Sequence, residues 1–197
     1  MTTTELWLVR HGRTEWAATG RHTGWTDIPL DEVGVSQAAS LSGVLAAQSF
    51  DRVFTSPLLR ARDTGTLAGF GERLIVDEDL REWNYGDYEG RTKLDIVAEH
   101  PGWVLWDDGV PGGEGLDDVA TRADRFLAPL RPSGERVLIF AHGHLLRILT
   151  ARWLSLAPAS ARLFVLEPAA ISVLGYERDQ AVIRTWNRVA DTAPRPH

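Results

Sequence analysis

The chain has 197 residues, 44% of them hydrophobic and 24% charged, with a formal net charge of −6 and no cysteine. Such a length and composition suit one globular domain with a full core. The negative balance argues against nucleic acid or an anionic membrane as partner, and the missing cysteines exclude a disulfide framework and a thiolate metal site.

The opening residues carry neither a basic region nor an apolar one, and no apolar run approaches membrane-spanning length, so a cytoplasmic location is expected. Leu6 to Val9 is uniformly apolar and reads as a buried strand of a parallel sheet. It runs into Arg10-His11-Gly12, a cation beside an imidazole where open α/β sheets bind ligands. Gly12 would let the backbone approach a ligand, and Thr14 would offer a hydroxyl or backbone N–H groups to an anion. A polar loop through Thr23-Gly24-Trp25-Thr26-Asp27 follows, in a position that usually carries ligand contacts.

Helical spacing predicts a covering helix from Gly34 to Ala47. Arg52 to Thr55 reads as a short strand, and Ser56-Pro57 as the start of a helix to about Leu67 with Pro at its first position. Arg60 and Arg62 in its first turns, together with its N-terminus, make a second anion-binding feature. Leu74 to Val76 is a third strand. The acidic, aromatic stretch from Asp77 to Gly90 has no period, Lys93 to Glu99 reads as a short helix, and Pro101 to Gly115 as an insertion over the sheet. Leu116 to Leu130 is amphipathic.

Val137 to Ala141 is a second uniformly apolar strand, and it ends in His142-Gly143-His144 before a helix from about Leu145 to Leu154. Arg162–Glu167, Ile171–Tyr176 and Ala181–Trp186 read as β-rich segments, and the tail from about 190 to 197 as disordered. Strands alternating with helices, without repeat or linker, predict a single domain over 1–197: a three-layer α/β/α sandwich around a mostly parallel sheet.

Two buried strands that each deliver a histidine and a glycine at the C-terminal end could place both imidazoles in one pocket. Arg10, His11, Arg60, Glu82 and His142 then suit phosphoryl transfer through a phosphohistidine. A neutral imidazole supplies the nucleophile, arginines neutralise the phosphoryl oxygens, and a carboxylic acid protonates the leaving alkoxide. A metal hydrolase using His11, His142 and His144 is a rival, though no motif supplies a carboxylate ligand.

The sequence resembles the histidine phosphatase superfamily, also called phosphoglycerate-mutase-like, over nearly its whole length. The resemblance rests on Leu8-Val-Arg10-His11-Gly12-Arg13-Thr14-Glu15-Trp16, Thr55-Ser-Pro-Leu-Leu-Arg60, Leu80-Arg-Glu82-Trp-Asn-Tyr85-Gly86 and Ala141-His142-Gly143-His144. It implies His11 as nucleophile, a phosphate pocket of Arg10, Arg60 and His142, and Glu82 as proton donor and later as base. Thr14, Thr23, Gly24, Tyr85, Lys93, Gly143 and His144 are implied as substrate contacts, with His144 also a candidate helix cap. No cofactor and no metal are implied. Arg62, His22 and His100 read as surface residues.

Departures from the mutases bear on the subclass. Trp83 and the acids Asp107 and Asp108 stand where mutases place carboxylate-binding arginines, and Ala17 replaces an asparagine. Lys93 and Tyr85 match the mutases. The balance favours a phosphatase of small metabolites similar to the broad-specificity acid phosphatases, with a phosphoglycerate mutase as the alternative and a non-catalytic phosphate-binding scaffold behind it. Trp16, Trp25, Trp83, Tyr85, Tyr88, Trp103 and Trp106 are candidates for an aromatic mouth that stacks on sugar, aryl or nucleoside groups. A small-molecule phosphate monoester is the expected partner, nucleic acid and membrane are not, and a homodimer stays open.

Overall fold

A computed structural model describes residues 4–189; the expected tail disorder lies outside them. The strands are β1 (Glu5–Arg10), β2 (Arg52–Thr55), β3 (Leu74–Val76), β4 (Arg136–Ala141), β5 (Ile171–Glu177) and β6 (Gln180–Arg188). They form one sheet in the order β3-β2-β4-β1-β5-β6. The first four are mutually parallel, and β5 and β6 add antiparallel at one edge.

The apolar runs are uniform because both faces of the inner strands are covered. Leu6 and Leu8 of β1 and Val137, Ile139 and Ala141 of β4 enter one core. Val9, Leu138 and Phe140 enter the other. Each such Leu, Ile or Phe contributes about 1.5–3 kcal/mol on burial.

The helices are α1 (Glu15–Ala18), α2 (Glu32–Leu45), α3 (Leu59–Gly65), α4 (Lys93–Glu99), α5 (Leu105–Asp108), α6 (Leu116–Leu127) and α7 (Gly143–Trp153). α6 and α7 bury Val119, Ala123, Phe126, Leu145 and Leu149 in the first core. α2 closes the second with Leu41 and Leu45.

Two expectations are corrected. Pro57 precedes α3 rather than opening it: Leu58 is extended (φ −71, ψ 137), and Ser56 Oγ accepts its N–H at 3.3 Å. Arg162–Glu167 is not a strand. The chain there leaves a 3-10 segment, Pro158–Leu163, and Arg162 is drawn outward into an ion pair with Asp107 at 2.5 Å.

Candidate active site

Arg10 pairs with Ala141 in the parallel register of β1 and β4. His11 and His142 are therefore the next residue out of each strand, and their rings lie 5.2 Å apart between centroids. The His11 N–H donates to the Ala141 carbonyl at 2.9 Å, which ties the two exits together.

His11 is buried, with Nδ1 2.7 Å from the Gly12 carbonyl oxygen. A carbonyl only accepts, so Nδ1 carries the proton and Nε2 keeps its lone pair. Burial first, and then the charges of Arg60 and Arg10, hold this imidazole well below its usual pKa and so neutral at pH 7. Burial and Arg60 do the same to His142, which lies behind the cavity with Nε2 2.7 Å from Ser56 Oγ.

Arg60 is fully buried and donates to the carbonyls of Thr26 at 3.0 Å and Gly24 at 2.7 Å. Gly24 is required twice: its φ is +52, and a Cβ would lie 2.0 Å from Glu89 Oε1. Glu89 in turn accepts the N–H groups of Trp25 and Thr26, stapling this loop to the one that carries Glu82. The short helix α3 does not lend its N-terminus to a ligand, because Asp27 accepts the Leu59 N–H at 2.8 Å.

Glu82 is buried. Its carboxylate accepts N–H groups from Trp83 at 3.0 Å, Leu145 at 2.9 Å and His144 at 3.1 Å. The last two belong to the N-terminal turn of α7, so one helix end orients Glu82 and carries His142 before it. Arg122 of α6, absent from the sequence-based site, donates to the carbonyls of Asp79, Arg81 and Glu82 and pairs with Glu114 at 2.8 Å.

Tyr85 and His144 meet at 2.5 Å between the hydroxyl and Nδ1. Burial, followed by Glu82, pushes the Tyr85 hydroxyl well above its usual pKa. Burial, followed by Arg147, pushes His144 well below its own, so both are neutral at pH 7. His144 does not cap α7.

Arg10, His11, Thr23, Gly24, Arg60, Glu82, Tyr85, Gly143 and His144 line one cavity of about 210 Å³. Among the described residues, four buried side-chain nitrogens lack a hydrogen-bond partner, and three of them are Arg10 Nε, Arg60 Nε and His142 Nδ1. Arg10 and Arg60, which line the cavity with donors left unpaired, fit a phosphoryl group.

Several expectations fail here. Thr14 spends its hydroxyl on the Ala17 N–H as the cap of α1 and does not line the cavity. Lys93 is exposed at the start of α4, outside the cavity. Gly12 serves packing: a Cβ there would lie 2.4 Å from the Gly34 carbonyl oxygen. The aromatic mouth is mostly core, with Trp83, Tyr88 and Trp103 buried among apolar side chains and only Tyr85 lining the cavity. His22 is no surface residue; it lines the cavity and packs edge-on to Tyr85 at 4.9 Å. Arg21 and Arg147 line it too. Arg62 and His100 are exposed.

Among the described residues no three His, Asp or Glu side chains gather as a metal would need, and no helix is long and apolar enough to cross a membrane.

Residues 6–189 match the model of the histidine phosphatase superfamily (branch 1). The chain is 39% identical over 179 residues to an acid phosphatase of Mycobacterium tuberculosis, covering 87% of this chain and 86% of that one. It is 41% identical over 161 residues to a 2,3-bisphosphoglycerate-dependent phosphoglycerate mutase of Azorhizobium caulinodans, covering 73% and 78%. A solved structure of a Mycobacterium tuberculosis open reading frame product superposes with a TM-score of 0.87 at 35% identity, covering 94% of this chain and 98% of that one. The chain belongs to the histidine phosphatase superfamily.

Proposed function

We propose that this chain is a single-domain phosphomonoesterase that hydrolyses small phosphorylated metabolites through a phosphohistidine on His11. The observation that carries the reading is the neutral His11 imidazole, its Nδ1 proton fixed by the Gly12 carbonyl, held beside Arg10, Arg60 and His142.

In the first step the Nε2 lone pair of His11 attacks phosphorus and the ester P–O bond breaks. Protonated Glu82 gives its proton to the departing oxygen, and Arg10 and Arg60 balance charge on the phosphoryl oxygens, with the neutral His142 imidazole beside them. In the second, the Glu82 carboxylate takes a proton from water, whose oxygen attacks phosphorus. The P–N bond breaks, phosphate leaves, and Nε2 regains its lone pair. The Nδ1 proton stays in place throughout. This cycle draws on side chains alone. A cytoplasmic location for it is in keeping with a chain that has no cysteine.

The test is a rapid acid-and-base quench with labelled substrate in excess EDTA. Label that is acid-labile, base-stable and maps to His11 is expected; label on another residue, or none, overturns the mechanism.

A further inference from the structure

The cavity carries more positive charge than one phosphate monoester needs. Its charged lining is Arg10, Arg21, Arg60, Arg147 and Glu82, in a chain whose net charge is −6. Arg10 and Arg60 carry the unpaired buried nitrogens assigned above to the phosphoryl group. Arg21 and Arg147 remain, the first exposed and the second half-buried, while His11, Arg60 and Glu82 are buried. These two therefore mark the outer side of the cavity, away from the reacting phosphorus.

Arg147 is held for recognition rather than free to wave. It lies one turn along α7 from Gly143, with its guanidinium over the Trp106 ring at 4.8 Å. Its Nε donates to the Ala161 carbonyl at 3.1 Å and its Nη2 to the Arg162 carbonyl at 3.2 Å. Among the described residues Nη1 has no partner, and neither Arg147 nor Arg21 forms an ion pair. Asp95, close enough to feel Arg21, spends its carboxylate on Thr92. Asp107 and Asp108, which stand where the mutases place arginines, lie outside the cavity: Asp107 pairs with Arg162, and Asp108 accepts the Val104 N–H at 2.7 Å.

We propose that Arg147 and Arg21 bind a second anionic group, a carboxylate or a second phosphate, on the leaving-group side of the substrate. The inference rests on the phosphatase reading for which side leaves. It excludes neutral alcohols as the preferred leaving groups.

Matched pairs test it: 3-phosphoglycerate against glycerol 3-phosphate, and fructose 1,6-bisphosphate against fructose 6-phosphate. The wild-type chain should favour at least one member that carries a second anionic group by about tenfold in kcat/KM, and which pair shows the preference identifies carboxylate or phosphate. Arg147→Met and Arg21→Gln should each reduce that ratio while changing little the turnover of the member whose leaving group is neutral. The Arg21 side chain makes no hydrogen bond among the described residues, its backbone N–H alone donating to the Trp16 carbonyl at 2.9 Å, so its variant remains informative if Arg147→Met disturbs the fold. The same ratio read as calorimetric affinity on His11→Ala is independent of turnover, so it tests this site even in a chain that forms no phosphoenzyme. A ratio near one in both pairs, or a ratio that neither variant changes, overturns the proposal.

Discussion

The main-chain carbonyl of Glu82 lies 3.0 Å from an amino group of Arg122, a buried arginine forty residues further along the chain. Arg122 also reaches the carbonyls of Asp79 and Arg81, and its partner Glu114 accepts the Asn84 N–H at 2.8 Å. Arg122 and Glu114 thus hold the backbone on both sides of Glu82, which lies between two single 3-10 turns, Glu78–Leu80 and Gly86–Tyr88. Arg122→Met leaves the largely buried Glu114 unpaired and should cost about 3–5 kcal/mol of stability. It should also lower turnover of alkyl phosphates more than aryl ones, because it displaces the proton donor. Denaturant unfolding together with both assays decides this; wild-type values in all three would show that the loop holds itself.

His11→Ala should remove activity and phosphoenzyme while leaving thermal unfolding close to wild type. Arg60→Ala should lower kcat by about 10²–10³-fold. It also frees the Gly24 and Thr26 carbonyls, so limited proteolysis should reach that loop. Arg62, exposed on the same helix, should be nearly neutral. Reversal of the two arginines would displace α3 from the pocket.

Glu82→Gln tests the donor through the leaving group. p-Nitrophenyl phosphate departs as a stabilised phenolate, whereas glycerol phosphate departs as a basic alkoxide. Single-turnover phosphorylation by glycerol phosphate should fall by about 10²–10⁴-fold, and phosphorylation by the aryl ester much less. Equal losses would leave Glu82 a positioning role only. Asp79 and Glu89, the neighbouring acids, are already engaged by Arg125 and by the Trp25–Thr26 backbone.

His11, His142 and His144 all titrate well below their usual range in the folded chain, chiefly through burial. Below the unfolded value of about 6.5 the unfolded chain binds protons that the folded chain refuses. Stability is therefore full above that pH and is lost as pH falls, at up to about 1.4 kcal/mol per group per pH unit. Chemical unfolding at pH 7.5 and 5.5 should show the loss, and replacing His144 with Gln should reduce it. A flat profile would mean that these histidines charge in place.

Hydrolysis of 3-phosphoglycerate should outpace its isomerisation. Asp107 and Asp108 stand outside the cavity and are not the reason. What remains is the lack of the mutase arginine at Trp83, a side chain buried against the core with its indole N–H on the Glu114 carbonyl at 2.7 Å. A coupled assay with and without a bisphosphoglycerate primer separates the two reactions; efficient primer-dependent isomerisation would reverse the assignment.

The sequence by itself determined the doubly covered strands and the histidines at their ends; their parallel pairing came with the sheet. A strand buried on both faces must be apolar throughout, so a charged or titratable residue directly after Val9 or Ala141 marks the strand's end and the ligand's place at once. Only the tertiary structure decided what surrounds those histidines. Thr14 and Thr23 look alike in sequence, yet the Ala17 N–H claims one hydroxyl while the other residue faces the cavity. Arg122 and Arg147 carry no local pattern, because their partners are carbonyls, rings and carboxylates brought close by the packing of α6, α7 and the loops. An arginine's chemistry is the same everywhere along a chain. Whether it covers a surface, holds a loop or faces a substrate depends on which backbone oxygens folding places within about 3 Å of it, and that is a property of distant segments meeting.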